Sequence, residues 1–424
     1  MDEQLLQFIW EFGLFDKANA RTATGERIEV QSAGLRNADA GPDFANARLK
    51  IGGTQWAGNV EVHLRASDWR RHNHQSDKSY DSVILHVVLH NDCEPVRNSS
   101  GVPIPVYEVA FDRQLTNRYR QLLESQSFVP CRPLLDSMES FSIRMFLTRL
   151  AVERMEQRSE RIAEIMALSG NDWEATLQRT LFRAFGFGVN AQPFEQLAQK
   201  IPASCIARHR SSLLQLEALL LGQAGLLDGE TLDDDDYRRR LLQEYSLLRA
   251  KFSLTPMERH VWKFLRTRPV NFPTIRLAQL AALLHSTDSL ISKIAEVKTL
   301  EDCVKIFSVK PSEYWSTHYT FGKISEERSK SLGKKSVERI AANFVAPMLF
   351  AYGKNRSQQQ LCETAVELLE QIAPEQNAPV EGWQRMGVKP QNMFESQALL
   401  HLKQAYCDRK KCLQCTIGKQ ILKS

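Results

Sequence analysis

The feature that most constrains the fold is a change in hydrophobic periodicity along this chain of 424 residues. Up to about residue 125, a helical pattern over residues 3–14 is followed by five short runs that alternate or are rich in β-branched residues, which is typical of strands. From about residue 138, apolar residues repeat at the three- and four-residue spacing of helices. We therefore predict an α/β or α+β domain over residues 1–125 and a large all-α domain over residues 126–424.

We expect the five strand-like runs to form a small mixed sheet. They are ERIEVQSAG, FANARLKIGG, NVEVHLRAS, SVILHVVLHND and IPVYEVAF. The fourth run is apolar apart from its histidines, so we expect it to lie inside the sheet and not at an edge. Between the third and fourth runs, the mostly polar segment SDWRRHNHQSDKSYD predicts a connection of loop and short helix.

The composition excludes several classes of protein. An apolar fraction of 43% and a charged fraction of 25% are ordinary for a folded globular chain. No run of 18 apolar residues is present, so we expect no membrane-spanning helix. The acidic N-terminus lacks the basic and apolar stretches of a secretory signal. We therefore expect a cytoplasmic protein that does not associate with membranes.

The positive charge of the chain is concentrated in its C-terminal tail. Residues 401–424 contain six basic residues and one acidic residue, so this segment alone carries the net charge of +5. A basic segment can neutralise phosphates and so add salt-sensitive affinity for nucleic acid. The alternative is a basic helix that is simply solvated. The first interpretation makes Lys410 and Lys411 candidate substrate-binding residues.

The stretch GPDF and the stretch VEVH, 18 residues further on, suggest a metal site. Side chains two apart on a strand share a face, so Glu61 and His63 would point the same way, with Asp43 at the mouth of the preceding strand. Two carboxylates favour Mg²⁺ or Mn²⁺. Such an ion can lower the pKa of a bound water and polarise a phosphoryl oxygen. The alternative is two ordinary strands with polar outward faces.

This arrangement resembles the PD-(D/E)XK nuclease superfamily. The matching pieces, in order, are the opening helix, a strand with Asp43 after Pro42, a strand with Glu61, a polar crossover and an apolar strand. The resemblance implies a restriction-endonuclease-like fold in which Asp43 and Glu61 hold the metal, with Glu11 as a further acidic residue. The family usually has Lys at the position of His63. Because histidine is mostly neutral near pH 7, we expect His63 to orient the water or ligate the metal.

The segment after these strands is rich in histidine. Five of the ten histidines of the chain lie in residues 63–90, a density of titratable groups that is typical of a functional site. Within it, His72 and His74 occupy the polar connection, and we take them as candidate substrate-binding residues. The alternative is a polar loop whose histidines face solvent or a satisfied interior.

Nearly the whole chain also resembles a bacterial family known only as a domain of unknown function. The blocks that carry this resemblance are GPDFANARLKIGGTQWAGNVEVHLRASDWRRHNHQSDKSYDSVILHVV, RPVNFPTIRLAQLAALL and CDRKKCLQC, which occur in this order. The resemblance implies a bacterial protein that acts without a fused partner domain. It implies no activity.

The tail also holds a group of cysteines. Cys407, Cys412 and Cys415 have the spacing C-x4-C-x2-C, and a tetrahedral zinc site needs one ligand more. Cys131 is our candidate for the fourth ligand, and His401 is the second choice. Four cysteines could equally hold an iron–sulfur cluster. The alternative is that no metal binds, with Cys407 and Cys415 packing in helices and Cys412 incidental.

Together these patterns predict a metal-dependent nuclease. Asp43, Glu61 and His63 would form the catalytic site, nucleic acid would be the partner, and the helical domain would shape access to the site. The competing hypothesis is a non-catalytic adaptor, built on a degenerate nuclease fold, that binds nucleic acid or a protein. The sequence contains no G-x-x-x-x-G-K-[ST] loop, which disfavours nucleotide hydrolysis of that class.

Overall fold

The computed structural model describes residues 2–37, 39–132, 140–228, 235–265 and 267–423. The chain separates into two compact units. The N-terminal unit comprises Met1–Ile143 and Leu402–Ser424, and the helical unit comprises Arg144–His401. The predicted boundary lies between residues 125 and 126, with the C-terminal tail in the helical domain, whereas the structure groups the tail with the N-terminal unit.

The N-terminal unit contains the predicted mixed sheet. Its strands are β1 Ile28–Ser32, β2 Leu35–Arg36, β3 Phe44–Ile51, β4 Thr54–Arg65, β5 Val83–His90 and β6 Val106–Glu108. The order is β1-β3-β4-β5-β6, and β2 also pairs with β3. The pairs from β1 to β4 are antiparallel, whereas β5 is parallel to both β4 and β6. The interior position predicted for β5 is therefore confirmed.

Short helices accompany this sheet. They are α1 Glu3–Glu11, α2 Asp68–Arg71, α3 Arg113–Glu124 and, from the C-terminal tail, α19 Thr416–Lys423. The carboxylate of Asp2 accepts a hydrogen bond from the backbone of Leu5 and so caps α1, which contacts β4. Helix α19 contacts α3 and buries Ile417, Ile421 and Leu422. Burial of this apolar face explains why the tail belongs to the N-terminal unit.

The rest of the described chain is mainly helical, as predicted. The helices are α4 Ser140–Leu168, α5 Trp173–Phe185, α6 Ala191–Lys200, α7 Ala203–His209, α8 Leu213–Gln223, α9 Asp236–Phe252, α10 Pro273–Ser286, α11 Leu290–Ala295, α12 Leu300–Phe307, α13 Tyr314–Thr317, α14 Lys334–Ile340, α15 Ala346–Arg356, α16 Gln359–Glu370, α17 Ala378–Gln384 and α18 Met393–His401. None of the helices that the structure describes has the length and apolar character needed to cross a membrane.

One part of the helical unit departs from the all-α prediction. A two-stranded antiparallel sheet joins β7, His318–Thr320, to β8, Lys323–Ile324. Gly322 lies at the turn with a φ of +71°, a conformation that glycine adopts at no steric cost. So short a hairpin, between segments with helical periodicity, gives no clear strand pattern in the sequence.

Candidate metal and catalytic site

The pairing of β3 with β4 brings Asp43 and Glu61 together. Phe44 lies opposite Val60, so the residue before β3 is next to the buried half of β4. The backbone N–H of Asp43 donates to Glu61 Oε2 over 3.0 Å, and the N–H of Val62 donates to Asp43 Oδ2 over 3.0 Å. The two carboxylates that the sequence singled out are therefore neighbours.

Helix α1 holds the other oxygen of Asp43. Gln7 donates from Nε2 to Asp43 Oδ1 over 2.9 Å, and Arg36 donates from Nη2 to Gln7 Oε1 over 2.6 Å. Glu11, the acidic residue expected from this helix, instead pairs with Arg36 at 3.5 Å. Glu3 lies one turn before Gln7, and burial together with the charge of Glu61 raises its pKa. Sequence reasoning missed Glu3 and Gln7, although their four-residue spacing with Glu11 places all three on one helix face.

Burial perturbs the acid at the centre of this arrangement. Removal from solvent, followed by the nearby charge of Glu61, raises the pKa of Asp43 to about 7. Two like charges in a buried site repel each other, which makes such a pair a favourable place for a cation. Glu61 itself is 5% exposed.

Two imidazoles face the second oxygen of Glu61, and a third imidazole contacts one of these two. His63 Nε2 and His74 Nε2 each lie 3.4 Å from Glu61 Oε1. His63 Nε2 also lies 3.1 Å from His72 Nδ1. We call Asp43, Glu61, His63, His72 and His74 the carboxylate–imidazole cluster. His63 and His74 are buried, whereas His72 is exposed and forms the solvent side of the cluster.

The parallel pairing of β4 with β5 adds a fourth histidine. Glu61 lies opposite His86 in the register, and His86 Nε2 is 2.9 Å from His63 Nδ1. The side chain of His86 is fully buried. At Gly58, a Cβ atom would lie 2.6 Å from the carbonyl oxygen of Ser82, so glycine allows the start of β5 to approach β4 this closely. His86 was not among the site residues predicted from sequence.

The polar connection turns back on itself to present two of the histidines. Helix α2 ends at Arg71, and Asn73 adopts a left-handed conformation with a φ of +64°. Asparagine tolerates this conformation better than most residues. The ring of His74 then stacks on Tyr80, with 3.7 Å between ring centroids and an angle of 24° between the planes. The turn at Asn73 thus directs both His72 and His74 toward His63.

His63 and His86 are uncharged near neutral pH. Burial, followed by the neighbouring histidines, lowers the pKa of His63 to about 2. Burial and the proximity of His74 lower the pKa of His86 to about 3. A neutral imidazole is the form that ligates metal. His63 therefore does not bring to the site the positive charge that a lysine would bring.

The basic residues of the C-terminal tail belong to the N-terminal unit. Lys410 donates from Nζ to the carbonyl of Ser125, and Lys411 is exposed. Further on, the ammonium groups of Lys419 and Lys423 lie 5.1 and 3.5 Å from the centre of the Phe12 ring. These two lysines therefore contribute to packing as well as to charge.

The four candidate cysteines are all buried free thiols of the N-terminal unit. Burial, followed by the neighbouring thiols Cys415 and Cys412, raises the pKa of Cys131 to about 12. Burial and Cys415 likewise raise the pKa of Cys412 to about 11. Within the described chain, the one group of three or more potential ligands with atoms within 4.8 Å of one another is His63, His72 and His74. Of these three, the sequence suggested only His63 as a possible metal ligand, whereas His72 and His74 were predicted to bind substrate.

His401, the second choice for the fourth ligand, is in the helical unit, where its Nε2 lies 3.1 Å from Glu153 Oε1.

The fold and the site define a protein with a mixed-sheet unit that carries a buried carboxylate–imidazole cluster. The chain belongs to the family described as "Protein of unknown function (DUF2851)", which matches residues 3–378. This match includes the whole cluster and ends before Cys407, Cys412 and Cys415. The chain matches no curated protein and no solved structure.

Proposed function

We propose that this protein is a metal-dependent nuclease that hydrolyses phosphodiester bonds of nucleic acid. The observation that carries the proposal is the meeting of Asp43 and Glu61 at a buried site, joined by a 3.0 Å hydrogen bond from the backbone of Asp43. The order of the elements supports it: a helix, antiparallel strands, a crossover and a parallel strand follow one another as in the restriction-endonuclease-like fold that the sequence resembles.

Asp43 and Glu61 would hold Mg²⁺ or Mn²⁺. A bound ion of this kind supplies a more acidic water and a polarised phosphoryl oxygen. Asp43 Oδ1 is oriented by Gln7, and Asp43 Oδ2 by the N–H of Val62. Because both oxygens are held in place before an ion arrives, little reorganisation is needed on binding.

His63 would act as a neutral group beside the carboxylates. Its Nε2 lies 3.4 Å from Glu61 Oε1, where it can orient a water or contribute to metal binding. The exposed ring of His72, with His74 behind it, would contact the substrate at the mouth of the site. Lys410 and Lys411 would add phosphate contacts from the tail, each making binding more sensitive to salt.

The cysteines fit the same proposal as a separate element. Cys131, Cys407, Cys412 and Cys415 would bind Zn²⁺ or an iron–sulfur cluster and so fasten the tail to the N-terminal unit. All eight cysteines of the chain are free thiols, which suits the reducing cytoplasm where we place the protein.

A non-catalytic adaptor is the second candidate. The observation that favours it is the uncharged state of His63, which therefore supplies no positive charge beside Glu61 to stabilise developing negative charge. Such an adaptor would bind nucleic acid or a protein and cleave neither.

Cation dependence tests the proposal. Full-length protein, treated with EDTA and dialysed, is incubated with labelled single- and double-stranded DNA and RNA in Mg²⁺, Mn²⁺ or EDTA. We expect cleavage that needs the cation and falls more than about a hundredfold in Glu61→Gln and Asp43→Asn, because loss of even an outer partner of a metal ligand costs up to that factor.

Glu29→Gln is the matched control. It removes an exposed carboxylate from β1 of the same sheet and should retain full activity. Binding of nucleic acid without cleavage in every cation, unchanged in Glu61→Gln, would contradict the nuclease and favour the adaptor.

A further inference from the structure

We propose that His63, His72 and His74 form a binding site for a transition-metal ion of the zinc class, with the charge of Glu61 beside it. This site would be distinct from the Mg²⁺ or Mn²⁺ position between Asp43 and Glu61. The inference goes beyond the proposed nuclease function, since its test counts bound ions and requires no nucleic acid.

The spacing of the potential ligand atoms is close to that of neighbouring ligands on one metal ion. Zinc–nitrogen bonds of 2.0–2.1 Å place neighbouring ligands of a tetrahedron about 3.3 Å apart. His63 Nε2 is 3.1 Å from His72 Nδ1 and 3.4 Å from Glu61 Oε1. His74 Nε2 is also 3.4 Å from Glu61 Oε1. The ligand atoms of His63, His72 and His74 all lie within 4.8 Å of one another, which agrees with one ion held by the three histidines, with Glu61 beside it.

Hydrogen bonding alone leaves the cluster unsatisfied. His74 is 8% exposed, and its Nε2 has no hydrogen-bond partner although it faces Glu61 Oε1. A buried polar atom without a partner destabilises the structure that buries it. A cation among these atoms would satisfy the lone pair of His74 Nε2 and the charge of Glu61 together.

His86 occupies the position of an outer partner. Its Nε2 lies 2.9 Å from His63 Nδ1, where it can accept the proton of that ring and leave His63 Nε2 free to bind metal. Metal-ligating histidines commonly have such a partner on the second nitrogen, which fixes the tautomer and the ring orientation. His86 is therefore a positioning residue for the site.

The donor set decides the class of ion. Three imidazoles with an open fourth position suit zinc and its neighbours, whereas Mg²⁺ prefers oxygen ligands and retains its waters. The exposed ring of His72 gives an ion a path from solvent. The negative charge of Glu61 would stabilise both ions, because its Oε2 lies on the side of Asp43 and its Oε1 faces the imidazoles.

Titration with Zn²⁺ tests the inference. Full-length protein is stripped with EDTA, dialysed under reducing conditions and titrated by calorimetry, and bound metal is counted after gel filtration. His72→Ala removes an exposed ligand, and His74→Phe keeps a ring to stack on Tyr80. His90→Ala is the control, since His90 is an exposed histidine on β5.

We expect the two ligand variants to bind one Zn²⁺ fewer per chain than the wild type and the control, or to bind it more than about a hundredfold more weakly. Zinc held by the cysteines raises the count in all four proteins equally. Titration with Co²⁺ separates the two kinds of site, because thiolate ligands give a charge-transfer absorption that imidazole and carboxylate ligands lack.

Equal stoichiometry and affinity in all four proteins would overturn the inference. If His74→Phe does not fold, as judged by circular dichroism, His72→Ala decides. Zinc binding without nuclease activity would leave this site standing and remove the proposed function. Cation-dependent cleavage without zinc binding at the histidines would support the nuclease and remove the zinc site.

Discussion

Two buried glutamates, one in each unit, differ in whether the surrounding groups satisfy the carboxylate by hydrogen bonds. Glu217 on α8 is fully buried and surrounded by donors. Its Oε1 accepts from the backbone N–H of Ser312 over 3.2 Å, and its Oε2 accepts from Trp315 Nε1 over 3.0 Å. Tyr237 donates to the same Oε2. Every neighbour of this carboxylate thus offers a proton, as a structural buried acid requires.

Glu61 is nearly as buried, but its surroundings differ. Its Oε2 accepts one backbone N–H, and its Oε1 faces two imidazole nitrogens at 3.4 Å without an aligned hydrogen bond. A second carboxylate, Asp43, lies beside it. The contrast teaches that burial of an acid does not by itself indicate a functional site. An arrangement of acceptors facing one another points to one, because it can be satisfied only by a bound cation or by a proton, as the raised pKa of Asp43 illustrates.

The largest expected effect is on folding at Glu217. In Glu217→Gln, one oxygen becomes an NH₂ group that faces the N–H of either Ser312 or Trp315. We expect the helical unit to lose about 3 kcal/mol of stability, since two donors then face each other in a buried site. Glu61→Gln in metal-free protein should change stability by less than about 1 kcal/mol, because it also relieves repulsion with Asp43. Urea denaturation followed by circular dichroism measures both.

A double variant checks the mechanism of that loss. Trp315→Phe removes the indole N–H, so adding it to Glu217→Gln should cost less than the sum of the two single changes. The comparison between the glutamates fails if Glu61→Gln destabilises the metal-free protein as strongly as Glu217→Gln does.

The sequence predicted the division between sheet and helices because periodicity reports which face of an element is buried. The β-rich runs gave β1 and β3 to β6, but β4 extends back to Thr54, through GTQWAG, which has no strand-like alternation. The hairpin of β7 and β8 and the packing of the tail were not predicted. Both depend on contacts between residues far apart in sequence, such as the hydrogen bond from the N–H of Gly322 to Asp235.

The candidate site was predicted in part. The spacing of Asp43 and Glu61 indicated a shared position because strands that are consecutive in the chain commonly pair. The roles of Gln7 and His86 were not predicted. The contact of Gln7 with Asp43 depends on how α1 is rotated against β4. The contact of His86 with His63 depends on the parallel register of β4 and β5. Neither the rotation of the helix nor the register of the strands can be inferred from the spacing of residues along the sequence.

Glycines near each glutamate give the next test. Gly58→Ala would place a Cβ 2.5 Å from Ile84 Cγ2 and 2.6 Å from the Ser82 carbonyl, which shifts β5 against β4. We expect a loss of about 2 kcal/mol from overpacking. Because the same register sets His86 beside His63, the variant should also weaken Zn²⁺ binding by at least about tenfold.

Gly222→Ala, on the helix of Glu217, is the matched control. Its Cβ would lie 2.1 Å from the ring of Tyr245, so we expect a loss of stability of similar size. Zn²⁺ binding should remain as in the wild type. Equal effects of the two glycine variants on metal affinity would show that the β4–β5 register does not position the ligands.

The smallest expected effect concerns the outer support of Asp43. Gln7→Met keeps the length of the side chain but removes the 2.9 Å hydrogen bond to Asp43 Oδ1. We expect a loss of about 1 kcal/mol of stability and a roughly tenfold weaker affinity for Mn²⁺, because Asp43 is then free to turn away from Glu61. Gln4→Met makes the same change at an exposed position of α1 and should alter neither quantity. Calorimetric titration with Mn²⁺ distinguishes the two variants. If Gln7→Met binds Mn²⁺ as tightly as Gln4→Met does, the hydrogen bond from Gln7 does not orient Asp43 for binding a cation.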